Sequence, residues 1–164
     1  NRKQRFAVMV LDLDDFETVN QQFGHDAGTE LLKHVGDRLT GILRVSDTVS
    51  WTGTDTPGHK LLPIDTKTEY RATLARLGGD EFGMLLPTVE TEAQAISVAR
   101  RITDSLNSEY IINNQNVTLH CCIGISIYPY HGQEASELIR KADKAMFDAK
   151  QSAGKYCIYS AKTL

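Results

Sequence analysis

Long hydrophobic runs are missing from this sequence. No apolar stretch approaches the roughly 20 residues of a membrane-spanning helix, which excludes such a span, and no signal peptide is visible. A surplus of positive charge is missing too: the formal net charge is −3, so nothing offers nucleic acid a basic face. Cysteine is scarce. The three present are an odd number, and Cys121 and Cys122 are neighbours inside an apolar run. That pattern excludes a disulfide framework and fits buried thiols in a reducing compartment. His25, His34, His59, His120 and His131 lack any spacing that would pair them, or the cysteines, around zinc. Methionine is missing from the first position, so the chain, opening on Asn1, is expected to be a piece of a larger protein. A cytoplasmic location is expected, with no membrane contact by this domain even where the parent protein is tethered.

What remains is an ordinary globular composition, 41% hydrophobic and 24% charged over 164 residues, enough for one domain with a real core. Phe6 to Leu11 is a continuous apolar run, as expected of a strand covered on both faces, and it ends at Asp12 and Asp14. Asp15 to Phe23 reads as a short helix stopped by Gly24. A second helix follows from Asp26, its expected N-cap, with Leu31, Leu32, Val35, Leu39, Ile42 and Leu43 at helical spacing.

Residues 50–74 have no sustained period and are rich in Thr, Asp, Gly, Pro and Lys. A loop of about 25 residues is uncommon inside a compact domain, so this segment reads as an insertion in a single domain spanning 1–164. Gly58-His59-Lys60 fails as a phosphate-binding loop, because His59 stands where Lys is needed and no strand leads in. Two strands joined at Gly78-Gly79 come next, then a helix over about Thr91 to Asn107. Val117 to Tyr128 reads as one long strand entered through an Asn-rich turn. Leu138, Ala142, Ala145, Met146 and Ala149 mark a further helix, and Tyr156 to Tyr159 a closing strand. The order predicts an α+β fold, a central, mostly antiparallel sheet flanked by helices.

The hairpin ARLGGDEFGMLLP combines two features that weaken a strand, adjacent glycines and adjacent acids. Asp12 and Asp14 share a strand face because side chains alternate. Should the hairpin lie beside the first strand, Asp80 and Glu81 would converge on them. Clustered carboxylates without a nearby lysine suit Mg²⁺, which takes one or two protein carboxylates and leaves other positions to water and phosphate. An EF-hand loop is excluded: Glu17 occupies the position that requires Gly.

Gly78 to Phe82 spells GGDEF, and the chain resembles the GGDEF family, the diguanylate cyclases. Leu11 to Leu32 (LDLDDFETVNQQFGHDAGTELL) is similar to that family's first strand and helices. Tyr128 to Gly132 (YPYHG) and Ile139 to Lys150 (IRKADKAMFDAK) are similar to its C-terminal part. The resemblance implies a palm-like nucleotide-cyclase fold in which two protomers, each holding one GTP, face each other as a homodimer. They condense the two GTP into cyclic di-GMP and release pyrophosphate. By position it implies Mg²⁺ (or Mn²⁺) held by Asp12, the Leu13 carbonyl and Asp80, with Asp80 also assisting deprotonation of the attacking 3′-hydroxyl. Gly78 and Gly79 would leave room for the nucleotide, Asn20 and Thr29 would meet guanine, and Lys150 and Lys155 the phosphates. Arg44 and Asp47 match the family's RxxD product site. An upstream sensor and a downstream EAL phosphodiesterase domain are the implied neighbours.

Three positions depart from the family pattern. Thr29 stands where an Asp usually accepts from guanine, and a neutral hydroxyl is the weaker acceptor. Glu17 replaces a Lys near phosphate. AKQSAGK is one residue longer than the usual ending before Lys155. These departures support an alternative: a weakly active or inactive module that binds GTP or cyclic di-GMP and regulates an attached domain.

Overall fold

The structure is a computed structural model that describes residues 5–48 and 72–160, the side chains of 44–48 excepted. Strand β1 (Phe6–Asp14) leads into helices α1 (Phe16–Phe23) and α2 (His25–Thr48). The hairpin β2 (Thr73–Gly78) and β3 (Glu81–Leu86) precedes α3 (Glu92–Leu106). A second hairpin, β4 (Glu109–Ile112) and β5 (Gln115–Thr118), is followed by β6 (His120–Tyr128), α4 (Ala135–Gln151) and β7 (Tyr156–Ile158). Five strands form one sheet in the order β2-β3-β1-β6-β7, and β4-β5 form a separate ribbon. Every pairing in the large sheet is antiparallel except β6 with β7. This is the α+β arrangement expected, with the glycine hairpin beside β1.

Alternation along β1 builds two cores. Ala7, Met9, Leu11 and Leu13 join side chains of α1, α2 and α3 in the larger cluster. Val10 faces the other way and packs with Cys122, Ala142, Met146 and Ala149 under α4. A strand buried on both faces needs the unbroken apolar run of FAVMVL, since each such side chain contributes about 1.5–3 kcal/mol on burial. Helix α4 lies unusually close to the sheet at Gly124. A Cβ there would fall 1.8 Å from the Ala142 carbonyl oxygen and 2.2 Å from the Met146 nitrogen. The buried Ser126 hydroxyl donates to the Leu138 carbonyl at 2.7 Å and ties the start of the same helix down.

Several expectations need correction. Val117 to Tyr128 is two strands, β5 and β6, with Leu119 between them, and β4 was not foreseen. The turn residues Asn113 and Asn114 adopt φ of 51° and 60°, making a tight β4–β5 hairpin. Asp26 lies inside the first turn of α2, which begins at His25, and so is not its N-cap. Thr73 and Leu74 belong to β2, so the insertion ends earlier than 74; its remainder, like Gly58-His59-Lys60, lies outside the described residues. Helix α3 fits its expected span closely: Thr91 and Gln94 form a reciprocal capping box at its start. No described helix is long and apolar enough to cross a membrane.

Candidate active site at the β1–β3 end of the sheet

Register brings the acids together. Asp12 is paired with Glu81 on β3 and with Cys122 on β6, while the Leu13 N–H donates to the Asp80 carbonyl at 3.2 Å. Asp80 therefore sits in the turn immediately beside the C-terminal end of β1. A left-handed φ of 50° at Gly79 sharpens that turn, which explains one of the two glycines from the backbone alone. The Arg76 guanidinium donates to the Gly79 carbonyl from Nε at 2.9 Å and Nη2 at 2.7 Å, clamping the turn from behind. A Cβ at Gly78 or Gly79 would meet nothing within 4 Å, so both face open space.

These groups open into a cleft of about 760 Å³. Asp12, Leu13, Asp80, Lys150 and Lys155 line it together with Glu17 and Cys122. The expectation of acids without a nearby lysine is overturned: Lys150, in the last turn of α4, is ion-paired with Asp12 Oδ2. The close approach of α4 at Gly124 carries this lysine to the strand end. The other oxygen of that carboxylate, Asp12 Oδ1, is buried with no hydrogen-bond partner. Burial, reinforced by the neighbouring Asp12 charge, holds the Asp80 carboxyl above its ordinary proton affinity. For Lys150, burial works against the charge, but the bond to Asp12 and the charges of Asp12 and Asp14 outweigh it and raise the ammonium pKa.

Lys155 reaches the cleft despite the longer AKQSAGK segment. The extra length is absorbed by a Schellman ending of α4, in which Gly154 N–H donates to Ala149 O at 2.9 Å and Ala153 N–H to Lys150 O at 3.4 Å. Ala153 takes the left-handed position of that motif, φ 52°, usually held by glycine. Lys155 is then fixed by its carbonyl, which accepts from Ile123 N–H at 2.9 Å, and its ammonium lies 3.7 Å from Asp104. On the cleft wall the Cys122 thiol donates to Asp14 Oδ2 at 3.6 Å. Burial first, and then the Asp14 charge, push the Cys121 thiol up to about 12 and that of Cys122 to about 11.

The cleft does not gather every expected residue. Asn20, Thr29, Gly78 and Gly79 are not among its lining residues. The Thr29 hydroxyl donates within α2 to the His25 carbonyl at 3.0 Å, which leaves its oxygen free to accept. Asn20 instead lies over Gly28, where a Cβ would fall 1.8 Å from its Oδ1. Gly28 thus makes room for the Asn20 amide, a role not read from the sequence, although a lone glycine inside a helical pattern signals such a close approach. Glu17, in the first turn of α1, does line the cleft. Arg44 and Asp47 fall in α2, but their side chains lie outside the described residues.

No three His, Cys, Asp or Glu side chains among the described residues are disposed as a metal cluster. Magnesium does not require one, since one or two carboxylates suffice when water and phosphate complete its shell. The paired carboxylates of Asp12 and Asp80, and the unpartnered Asp12 Oδ1 above all, fit a small hard cation.

The mixed fold and the glycine hairpin with its acids at the sheet end define a GGDEF domain. The chain belongs to that family: the family model described as "Diguanylate cyclase, GGDEF domain" matches residues 1–56 and 62–155. The bifunctional diguanylate cyclase/cyclic di-GMP phosphodiesterase MucR of Pseudomonas aeruginosa is 34% identical over 159 residues, covering 96% of this chain and 19% of that protein. Diguanylate cyclase TpbB of the same species is 32% identical over 152 residues, covering 92% of this chain and 29% of that protein. The chain thus spans less than a third of either relative. The crystal structure of the TpbB GGDEF domain superposes with a TM-score of 0.78 at 29% identity, covering 98% of this chain and 86% of that one.

Proposed function

We propose that this domain is a diguanylate cyclase, condensing two GTP into cyclic di-GMP with release of pyrophosphate across a homodimer. The observation that carries the reading is the meeting of Asp12, Asp80 and Lys150 at one end of the sheet, with an acid oxygen left unpartnered. Asp12, the Leu13 carbonyl and Asp80 hold Mg²⁺ (or Mn²⁺). When bound, the metal offsets charge on the phosphoryl oxygens and acidifies the attacking hydroxyl. Lys150 and Lys155 attract the terminal phosphates, and Asp80 accepts the 3′-hydroxyl proton. Asn20 and Thr29 meet the guanine edge, and Gly78 and Gly79 leave the turn open to the nucleotide. Arg44 and Asp47 serve as a product-binding site. Incubating the dimer with GTP and Mg²⁺, followed by nucleotide analysis, tests the proposal; absence of cyclic di-GMP overturns it.

A second reading is favoured by Glu17, an acid lining the phosphate cleft, and by Thr29, whose neutral hydroxyl is a weaker acceptor than a carboxylate. Both weaken the hold on GTP. A module of low turnover would bind GTP or cyclic di-GMP and regulate attached domains, an upstream sensor or an EAL phosphodiesterase. Nucleotide binding without product formation selects this reading.

A further inference from the structure

The proposed cation ligand Asp12 and the lysine of α4 form one electrostatic unit. Lys150 is ion-paired with Asp12 Oδ2; the Asp12 side chain is 13% exposed and that of Lys150 32%. The ammonium lies against the carboxylate from which the proposed Mg²⁺ must be held. Asp12 Oδ1 is left for the metal, so a dication there and the ammonium on Oδ2 face each other across one carboxylate and repel, the more so where burial lowers the effective dielectric. Lysine suits such an exchange, being a compact charge on a flexible stem. The backbone behind it is anchored by the Schellman ending and by the contact at Gly124, so the side chain moves while the helix stays.

We propose that Lys150 is a resident counter-cation of Asp12, so that metal entry is an ion exchange which nucleotide phosphate promotes by drawing the ammonium away. Free of nucleotide, the domain binds metal weakly; with nucleotide, the lysine has a second anion to serve and Asp12 is released. Cation and nucleotide then bind with positive coupling, each favouring the state that the other requires. This inference rests on the cyclase reading only in taking Asp12 as a metal ligand, and it stands whether or not turnover follows.

The test is Mn²⁺ alone, titrated into the 164-residue chain by calorimetry and by the loss of the free-ion electron paramagnetic resonance signal. Lys150→Met removes the charge and keeps most of the volume, and should tighten Mn²⁺ binding by about tenfold. Lys150→Arg keeps the charge and should leave the affinity within about twofold of the parent. Unchanged or weaker binding in the Met variant, with its circular dichroism intact, overturns the proposal. An unfolded Met variant is replaced by Lys150→Gln under the same criterion. Asp12→Asn separates the two levels. Should it leave Mn²⁺ binding unaltered in both backgrounds, the metal assignment itself fails and the exchange with it. Should it abolish binding while Lys150→Met changes nothing, only the exchange fails.

Discussion

The two ends of the proposed GTP site are built on different principles. At the proposed metal end, Asp12 and Asp80 are brought together by antiparallel register between β1 and β3, with the buried Met9, Leu11 and Leu13 of β1 behind them. Lys150 is brought to the same point by a helix pressed against Gly124. At the proposed guanine end, Asn20 and Thr29 stand on two helices outside the sheet, Asn20 lying over Gly28 and the Thr29 hydroxyl donating to its own helix. Sheet register leaves no freedom of position, because a slip of one residue would turn every side chain to the opposite face. Helix surfaces leave more. Departures fall at both ends, Thr29 at one and Glu17 with the longer tail at the other, while the Asp12–Lys150 pair keeps its place.

The comparison breaks most severely at Asp80. Asp80→Ala is expected to reduce cyclic di-GMP production at least about a hundredfold while leaving the melting temperature near that of the parent. Chromatographic quantification of product beside a thermal melt checks both halves, and retained activity would contradict the role given to the turn. Gly124→Ala attacks the same end through packing. The added methyl would overlap the Ala142 carbonyl and force α4 off the sheet, so a loss of about 1–3 kcal/mol is expected in urea denaturation.

Thr29→Asp probes the other end. Restoring a charged acceptor should tighten GTP binding by about 1–2 kcal/mol with stability little changed. Calorimetry giving equal affinities for the two proteins would detach Thr29 from guanine. The smallest effect belongs to Ala153→Gly. Relieving a left-handed alanine in the Schellman motif should add about 1 kcal/mol to stability, and it should not shift GTP binding if Lys155 is already in place. Denaturation midpoints and the binding isotherm of that variant together show whether the longer tail is a structural or a functional departure.

Local patterns were legible wherever one physical cause dominates. The apolar run Phe6 to Leu11 specified a strand covered on both faces, and the apolar spacing between Thr91 and Asn107 specified α3. The motif GGDEF, flanked by apolar strand residues, announced the hairpin, its acids and the family. The long strand to Tyr128 was misread because Val117, Leu119 and Cys121 continue one alternation through the break between β5 and β6. Gly28 was passed over because its reason lies on another helix, in the Asn20 amide.

Most elements, the family motif and the residues proposed to carry the chemistry were legible in local sequence, although β4 and the break between β5 and β6 were not. Which of those residues meet was fixed by packing across the sheet. The pairing of Lys150 with Asp12 joins residues 138 positions apart, and no local period encodes it. It exists because a missing Cβ at Gly124 lets α4 settle onto the sheet. The same packing carries Lys155 into the cleft in spite of its extra residue, whereas Thr29 lies outside that cleft with its hydroxyl donating to its own helix.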